Sequence, residues 1–171
     1  VPINVTLIFS REHYLAAAEA YLRVIERRIA AGLKPDVGSV ASLFLSRWDA
    51  AVADRVPEEL KNRLGIAFGK RCFKAYCDLM TNPRWQRVFN AGARPQRLLF
   101  ASTGTKDPKA SDTLYIEALA SPFTVDTMPE GTLKAVADHG QFGAAVPPDG
   151  GDCETVLAQF IEAGVDIDAM A

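Results

Sequence analysis

Short apolar segments typical of buried strands alternate with helical patterns along the whole chain, and this alternation constrains the fold more than any other feature. Residues 11–31 give the clearest helical pattern, with Ser10 as a natural N-cap and Gly32 as a natural stop. Strands that alternate with helices predict an α/β fold with a parallel sheet. The predicted strands are 3–10, 39–46, 97–102 and 123–128, and the other predicted helices are 58–80, 112–119, 129–139 and 154–163. The helix at 58–80 is expected to break near Gly65 or Gly69.

Two architectures fit this alternation: an open doubly wound sheet and a (β/α)8 barrel. No G-x-G-x-x-G follows the first strand, which disfavours a dinucleotide-binding sheet. Each strand ends in polar residues, as expected where parallel strands converge on the mouth of a barrel. These residues are Asn4, Thr6 and Ser10, then Ser42, Ser46 and Arg47, then Ser102, Thr103 and Thr105, and finally Asp126 and Thr127. A closed barrel needs about eight strands, so residues 1–171 are expected to form one partial domain, about half of a barrel.

The overall composition argues against several classes of function. The 171 residues carry a net charge of −2, which does not favour nucleic acid or an anionic membrane as a partner. The three cysteines lack a C-x-x-C spacing, and His13 and His139 lie far apart, so no metal site is expected. No apolar run approaches the roughly 20 residues that span a bilayer. We therefore expect a cytoplasmic protein in which any basic site is local.

The segment 96–108 is the most informative about ligands. Its apolar part, 98–101, predicts a buried strand, and the residues that follow supply hydroxyls, backbone N–H groups and the ammonium group of Lys106. Ligands of α/β folds bind at the carboxyl ends of the strands. The donors in this segment suit a phosphate or another small anion.

Several longer motifs occur in a fixed order and together indicate a family. They are 4–10 (Asn-Val-Thr-Leu-Ile-Phe-Ser), 39–49 (Ser-Val-Ala-Ser-Leu-Phe-Leu-Ser-Arg-Trp-Asp), 92–97 (Gly-Ala-Arg-Pro-Gln-Arg), 101–106 (Ala-Ser-Thr-Gly-Thr-Lys), 112–117 (Asp-Thr-Leu-Tyr-Ile-Glu) and 124–129 (Thr-Val-Asp-Thr-Met-Pro). This ordered set closely resembles the transaldolase family, from residue 1 to about residue 140.

The resemblance implies a (β/α)8 TIM barrel of the class I aldolase type. It implies transfer of a dihydroxyacetone unit between sugar phosphates in the pentose phosphate pathway. The donors are fructose 6-phosphate or sedoheptulose 7-phosphate, and the acceptors are erythrose 4-phosphate and glyceraldehyde 3-phosphate. A lysine Schiff base serves as the electron sink, so neither a metal nor an organic cofactor is expected.

The order of the motifs places this chain at strands five to eight, the C-terminal half of the barrel. The Schiff-base lysine of the family lies at the end of strand four, in a segment similar to Ile-Lys-Ile-Pro, and no such segment occurs here. We therefore expect the nucleophile to lie outside this chain, on the N-terminal half of the barrel. The chain alone is expected to be inactive.

The residues alone leave the roles of several polar side chains open. Asn4 and Thr6 share one face of the first strand by alternation, and they either bind a ligand or are satisfied by neighbouring backbone. Arg47 with Ser42 is suited to clamp a phosphate, although an arginine after a strand is often only a surface residue. Asp49 either holds Arg47 in place or begins the next helix.

The resemblance assigns these residues specific roles. It makes Asn4 a hydrogen-bond donor to substrate hydroxyls, and it makes Thr6 the holder of a water that relays protons. Ser42 and Arg47 match the serine and arginine that bind the substrate phosphate, and Ser102 matches a second phosphate-contacting serine.

The loop after Ser102 departs from one branch of the family. That branch has an arginine two residues after the serine, where this chain has Gly104. Lys106 either supplies the missing charge to the phosphate or is a solvated loop lysine.

Two other functions remain open from the sequence. The chain could be a non-catalytic module that binds sugar phosphates and lacks the lysine. It could instead be a structural fragment without affinity, since half of a barrel exposes two sheet edges.

Overall fold

A computed structural model describes residues 2–167 and 169–170 as an α/β fold built on a parallel sheet. The strands are β1 (Ile3–Ile8), β2 (Ser39–Phe44), β3 (Gln96–Ala101) and β4 (Val125–Asp126). The helices are α1 (Arg11–Ala30), α2 (Ser46–Val52), α3 (Leu64–Thr81), α4 (Pro83–Asn90), α5 (Leu114–Ala118), α6 (Glu130–His139) and α7 (Cys153–Glu162), with one 3₁₀ turn at Glu58–Leu60. All four predicted strands are confirmed.

The predicted elements need three corrections. The region 58–80 is interrupted at residues 61–63, between the 3₁₀ turn and α3, and α3 runs without a break through Gly65 and Gly69. The second predicted strand ends at Phe44, and Ser46 already begins helix α2. Helix α4 was not predicted, although Asn82 caps it through a hydrogen bond from the backbone N–H of Arg84, with Pro83 in the first turn.

The order of the strands in the sheet favours the barrel type over the doubly wound type. Each strand pairs in parallel with the next one in the chain, giving the order β1-β2-β3-β4. A doubly wound sheet reverses its order, which places helices on both faces. Here the order never reverses, and α1 and α3 pack on the sheet and on each other. This is the arrangement expected of a TIM-barrel family member.

One face of the sheet is the main hydrophobic core. Its centre is formed by Ala41, Leu43, Leu98 and Phe100, each at most 1 % exposed, which pack against residues of α1 and α3. The opposite face carries the alternate residues of the same strands, Ser42 among them. A second cluster joins α2, α3 and α7, with Trp48 of α2 stacked on Phe68 of α3 at 4.2 Å between ring centroids.

Strand β1 contains a bulge that changes which of its side chains share the face of Ser42, which we call the ligand side of the sheet. Val5 lies opposite Ala41 and Ile8 lies opposite Leu43, so Thr6 and Leu7 together oppose the single residue Ser42. Leu7 has a φ of +59° and a side chain that is 54 % exposed. The simple alternation predicted for this strand therefore ends after Val5.

Two features are absent from the described residues. No helix among them is long and apolar enough to cross a membrane. The same residues hold no cluster of three or more histidine, cysteine, aspartate or glutamate side chains suited to a metal ion.

Candidate functional site

The candidate site lies at the carboxyl ends of β2 and β3, where helix α2 begins. Arg47, in the first turn of α2, places its guanidinium carbon 4.7 Å from the centre of the Phe44 ring. This cation–π contact holds the side chain over the end of β2, while the residue itself remains exposed. The position provides a cation that an anion can reach from solvent.

Ser102 also lies at the carboxyl ends of β2 and β3, the edge of the sheet that we call the rim. It is hydrogen-bonded to the start of α2. The Oγ atoms of Ser46 and Ser102 are 2.9 Å apart, and the backbone N–H of Ser46 donates to the carbonyl of Ser102 at 3.1 Å. Ser46 immediately precedes Arg47, so the structure brings Arg47 and Ser102 to one edge of the sheet. Ser46 itself was not among the predicted binding residues.

Asn4 and Ser42 form a second polar pair, deeper on the ligand side of the sheet. The Ser42 hydroxyl donates to the Asn4 side-chain oxygen at 2.7 Å, between β2 and β1. Ser42 is buried and Asn4 is exposed. The single O–H of Ser42 is thus directed at Asn4, which leaves the Asn4 amide N–H groups free to donate. Among the described residues, no hydrogen bond joins Ser42 to Arg47.

Thr6 and Lys106 are less closely tied to these groups. Thr6 lies in the β1 bulge with an exposed side chain, and the predicted shared face with Asn4 is interrupted there. Lys106 is exposed and lines a separate cleft of about 420 Å³ between helix α2 and the loop after β3. That cleft is also lined by Asp54, Glu58 and Asp107 and by none of the other predicted site residues.

Asp49 lies in the first turn of α2, as one of the two expectations has it, and its carboxylate bonds to groups other than Arg47. Its carboxylate accepts hydrogen bonds from the backbone N–H groups of Leu64 and Gly65 at 2.8 and 3.1 Å, and from the Tyr115 hydroxyl at 2.6 Å. It therefore caps α3 and joins α2, α3 and α5 beneath the rim. Burial raises the pKa of Asp49, although the three donors act in the opposite direction. The pKa of Tyr115 is raised by its burial and by the neighbouring carboxylate.

Asp126 is a half-buried residue on the helix-covered side of the sheet, and its Oδ1 atom is buried. It lies opposite Phe100, whose ring is in the main core, and its Oδ1 atom has no hydrogen-bond partner among the described residues. Burial raises the pKa of Asp126 from 3.8 to about 7. Because Asp126 pairs with Phe100, its side chain lies on the core face of the sheet, opposite the ligand side.

This burial predicts a specific dependence of stability on pH. Because the folded chain binds the Asp126 proton more tightly than the unfolded chain, its stabilising contribution is complete below about pH 4 and is lost as the pH rises through 7. We expect the free energy of unfolding to fall by about 2 kcal/mol between pH 5 and 8 from this group. Urea unfolding across this range should show that Asp126→Asn removes the fall, whereas the exposed Asp54→Asn does not. Parallel pH profiles for Asp126→Asn and the unmodified chain would contradict this assignment.

Comparisons with known proteins agree with the ordered motifs. Residues 1–171 match the protein family described as "Transaldolase/Fructose-6-phosphate aldolase". The chain is 44 % identical over 176 residues to a transaldolase of Parafrankia sp. (strain EAN1pec), covering 98 % of this chain and 48 % of that protein. It is 37 % identical over 172 residues to a transaldolase of Neisseria meningitidis serogroup A, covering 100 % of this chain and 49 % of that protein. The chain spans about half the length of the curated relatives it matches.

Proposed function

Because the chain belongs to the transaldolase/fructose-6-phosphate aldolase family, we propose that it forms the substrate-holding part of a transaldolase. The reaction moves a dihydroxyacetone unit from fructose 6-phosphate or sedoheptulose 7-phosphate to erythrose 4-phosphate or glyceraldehyde 3-phosphate, in the pentose phosphate pathway of the cytoplasm. The observation that carries the proposal is the rim at the ends of β2 and β3, where Ser102 is bonded to Ser46 and Arg47 follows Ser46 directly.

The phosphate group of the substrate binds at this rim. Arg47 provides an exposed, permanently charged guanidinium, and Ser102 provides a hydroxyl at the end of the neighbouring strand. Lys106, on the loop that follows Ser102, is the second cation proposed for the phosphate, and its side chain reaches the rim by leaving the separate cleft that it lines. This combination suits a phosphate monoester at the mouth of the barrel.

The sugar hydroxyls bind deeper, at the Asn4–Ser42 pair. The resemblance gives Ser42 to the phosphate with Arg47, but its single O–H is directed at Asn4, so in this proposal it serves the sugar. The Ser42 hydroxyl orients the Asn4 amide by donating to its oxygen, so the amide N–H groups can donate to a substrate hydroxyl. Thr6 lies next to this pair, in the bulge, and its exposed hydroxyl holds the water that relays protons during the reaction.

The nucleophile belongs to the other half of the barrel. In this proposal the chain supplies strands five to eight, and β1 and β4 pair with the strands of an N-terminal half that carries the Schiff-base lysine. That lysine condenses with the ketose carbonyl and releases water, and the resulting iminium accepts the electron pair when the carbon–carbon bond breaks. Neither a metal nor an organic cofactor is required.

The alternative is a non-catalytic module that binds sugar phosphates. Every predicted group in this chain except Thr6 is a binding group, which is compatible with that role. The two functions differ in whether a Schiff base forms once the other half of the barrel is present.

Borohydride trapping tests the placement of the nucleophile. We expect the intact mass of the 171-residue chain to be unchanged after borohydride treatment with fructose 6-phosphate, because no lysine in this chain forms the Schiff base. Mass spectrometry after proteolysis would locate any adduct that did form. A stable three-carbon adduct on Lys106 would show that the nucleophile lies in this chain and would overturn the proposal.

A further inference from the structure

Ser46 is a buried hydroxyl residue that holds Ser102 through two contacts. Its side chain is 0 % exposed, its Oγ lies 2.9 Å from the Ser102 Oγ, and its backbone N–H donates to the Ser102 carbonyl. The backbone N–H of the preceding residue, Leu45, donates to the carbonyl of Ala101. The start of α2 therefore continues the ladder between β2 and β3 by two hydrogen bonds.

These contacts hold Ser102 in a conformation that serine rarely adopts. Its φ is +56°, in the left-handed region, which costs a residue other than glycine of the order of 1 kcal/mol. The two hydrogen bonds between Ser46 and Ser102 offset this cost and fix the direction in which the Ser102 side chain leaves the strand. The position of the Ser102 hydroxyl thus depends on Ser46 as well as on β3.

The direction of the hydrogen bond between the two hydroxyls depends on what Ser102 contacts. Each hydroxyl has one O–H, and Ser46 is shielded from water. If Ser102 donated to Ser46, it would have no O–H left for an anion. When an anion is bound, only one direction is compatible: Ser46 donates to Ser102, and Ser102 donates to the anion. Hydrogen bonds in such a chain strengthen one another.

We propose that Ser46 is a positioning residue for phosphate binding, because it donates to Ser102 and leaves the Ser102 O–H for a phosphate oxygen. The proposal rests on the proposed function, in which Ser102 contacts the substrate phosphate. Ser46 does not touch the ligand and acts only through Ser102.

A double-mutant cycle with inorganic phosphate tests this role in the 171-residue chain. Phosphate is titrated while the amide chemical shifts of residues 102–104 are followed by NMR. We expect Ser46→Ala to weaken phosphate binding about fivefold, because Ser102 loses the donor that orients it. We expect Ser102→Ala to weaken binding about tenfold, because the phosphate itself loses a donor. The double variant should bind no more weakly than Ser102→Ala, because Ser46 has no effect without Ser102.

Matched variants separate positioning from a general effect on folding. Ser46→Cys keeps nearly the same volume with a weak donor, and we expect it to weaken binding between one- and fivefold. Ser39→Ala removes a hydroxyl at the opposite end of β2 and should leave phosphate binding unchanged. Two results would overturn the role of Ser46 while leaving the phosphate site intact. One is equal phosphate binding by Ser46→Ala and the unmodified chain. The other is a double variant whose loss of binding is the product of the two single losses. Absence of phosphate binding by the unmodified chain would instead overturn the phosphate site of the proposed function, and Ser46 with it.

Discussion

Replacing Gly65 by alanine should lower the free energy of unfolding by about 3 kcal/mol. A Cβ atom at this position would lie 2.7 Å from the Asp49 carboxylate oxygen and 2.7 Å from the Leu45 carbonyl oxygen. Neither group can move freely, because Asp49 caps α3 and Leu45 belongs to the backbone that leads into α2. The methyl group therefore forces α2 and α3 apart and weakens the hydrogen bonds of a buried carboxylate.

Two other glycine variants provide the controls for this effect in urea unfolding. A Cβ at Gly69 would lie 2.6 Å from the Leu119 side chain, which is buried but shifts more readily than backbone, so Gly69→Ala should cost about 1 kcal/mol. Gly131, in the first turn of α6, has no atom within 4 Å of the added Cβ, and Gly131→Ala should stabilise the chain by about 0.5 kcal/mol. Similar losses for Gly65→Ala and Gly69→Ala would contradict the assigned role of the Asp49 contact.

Replacing Arg47 by alanine should lower kcat/KM for fructose 6-phosphate about 100-fold, which is the effect of losing a charge-assisted contact of about 2.7 kcal/mol. The measurement uses a hybrid enzyme, defined as the Parafrankia transaldolase in which this chain replaces the part that it matches. In the same hybrid, kcat/KM for fructose, which lacks the phosphate, should change less than twofold. The difference between the two donors identifies Arg47 as a phosphate contact.

Arg55→Ala is the matched control for Arg47→Ala. Arg55 is also exposed and lies just beyond the end of α2, away from the ring of Phe44. We expect this variant to retain the activity of the hybrid with both donors. If Arg47→Ala lowered kcat/KM equally for fructose 6-phosphate and fructose, Arg47 would support the structure of the rim without binding phosphate.

The strands were predictable from sequence because each is a local feature. The apolar runs around Leu98–Ala101 and in the other strands are short and bounded by polar residues, and the structure confirms all four. The bulge in β1 was not predictable, because it depends on how Val5 and Ile8 align with β2. Nothing in the alternation of residues 3–8 indicates that Thr6 and Leu7 share one partner position.

The arrangement around Asp49 depends on contacts between distant residues. Gly65 predicted a helix break by its intrinsic propensity, but the carboxylate of Asp49, 16 residues earlier, caps the helix at that point. The Tyr115 hydroxyl comes from 66 residues away. A single sequence contains no signal for such a contact. The sequence does contain a signal for α2. A serine followed three residues later by an acidic residue, here Ser46 and Asp49, is typical of a helix start.

The candidate site could be predicted in part. The ordered motifs predicted Asn4, Ser42, Arg47 and Ser102 as ligand contacts, and these roles stay predictions. The structure joins Asn4 to Ser42, and it joins Ser102 to Ser46, the residue before Arg47. Two hydrogen bonds of the site depend on the register of β1, β2 and β3, which the sequence does not give. They join Asn4 to Ser42 and Ser46 to Ser102. The sequence left two roles open for Lys106, a phosphate contact or a solvated loop lysine. In the structure it lines a cleft of its own.

The transfer rate of the hybrid enzyme tests the central claim most directly. With fructose 6-phosphate as donor and erythrose 4-phosphate as acceptor, the hybrid should form sedoheptulose 7-phosphate at a rate within about tenfold of the parent Parafrankia transaldolase, since this chain would supply every substrate contact of its half. A hybrid that folds with the same thermal stability as the parent, yet forms no product while the parent does, would contradict the claim that this chain is the substrate-holding part of a transaldolase.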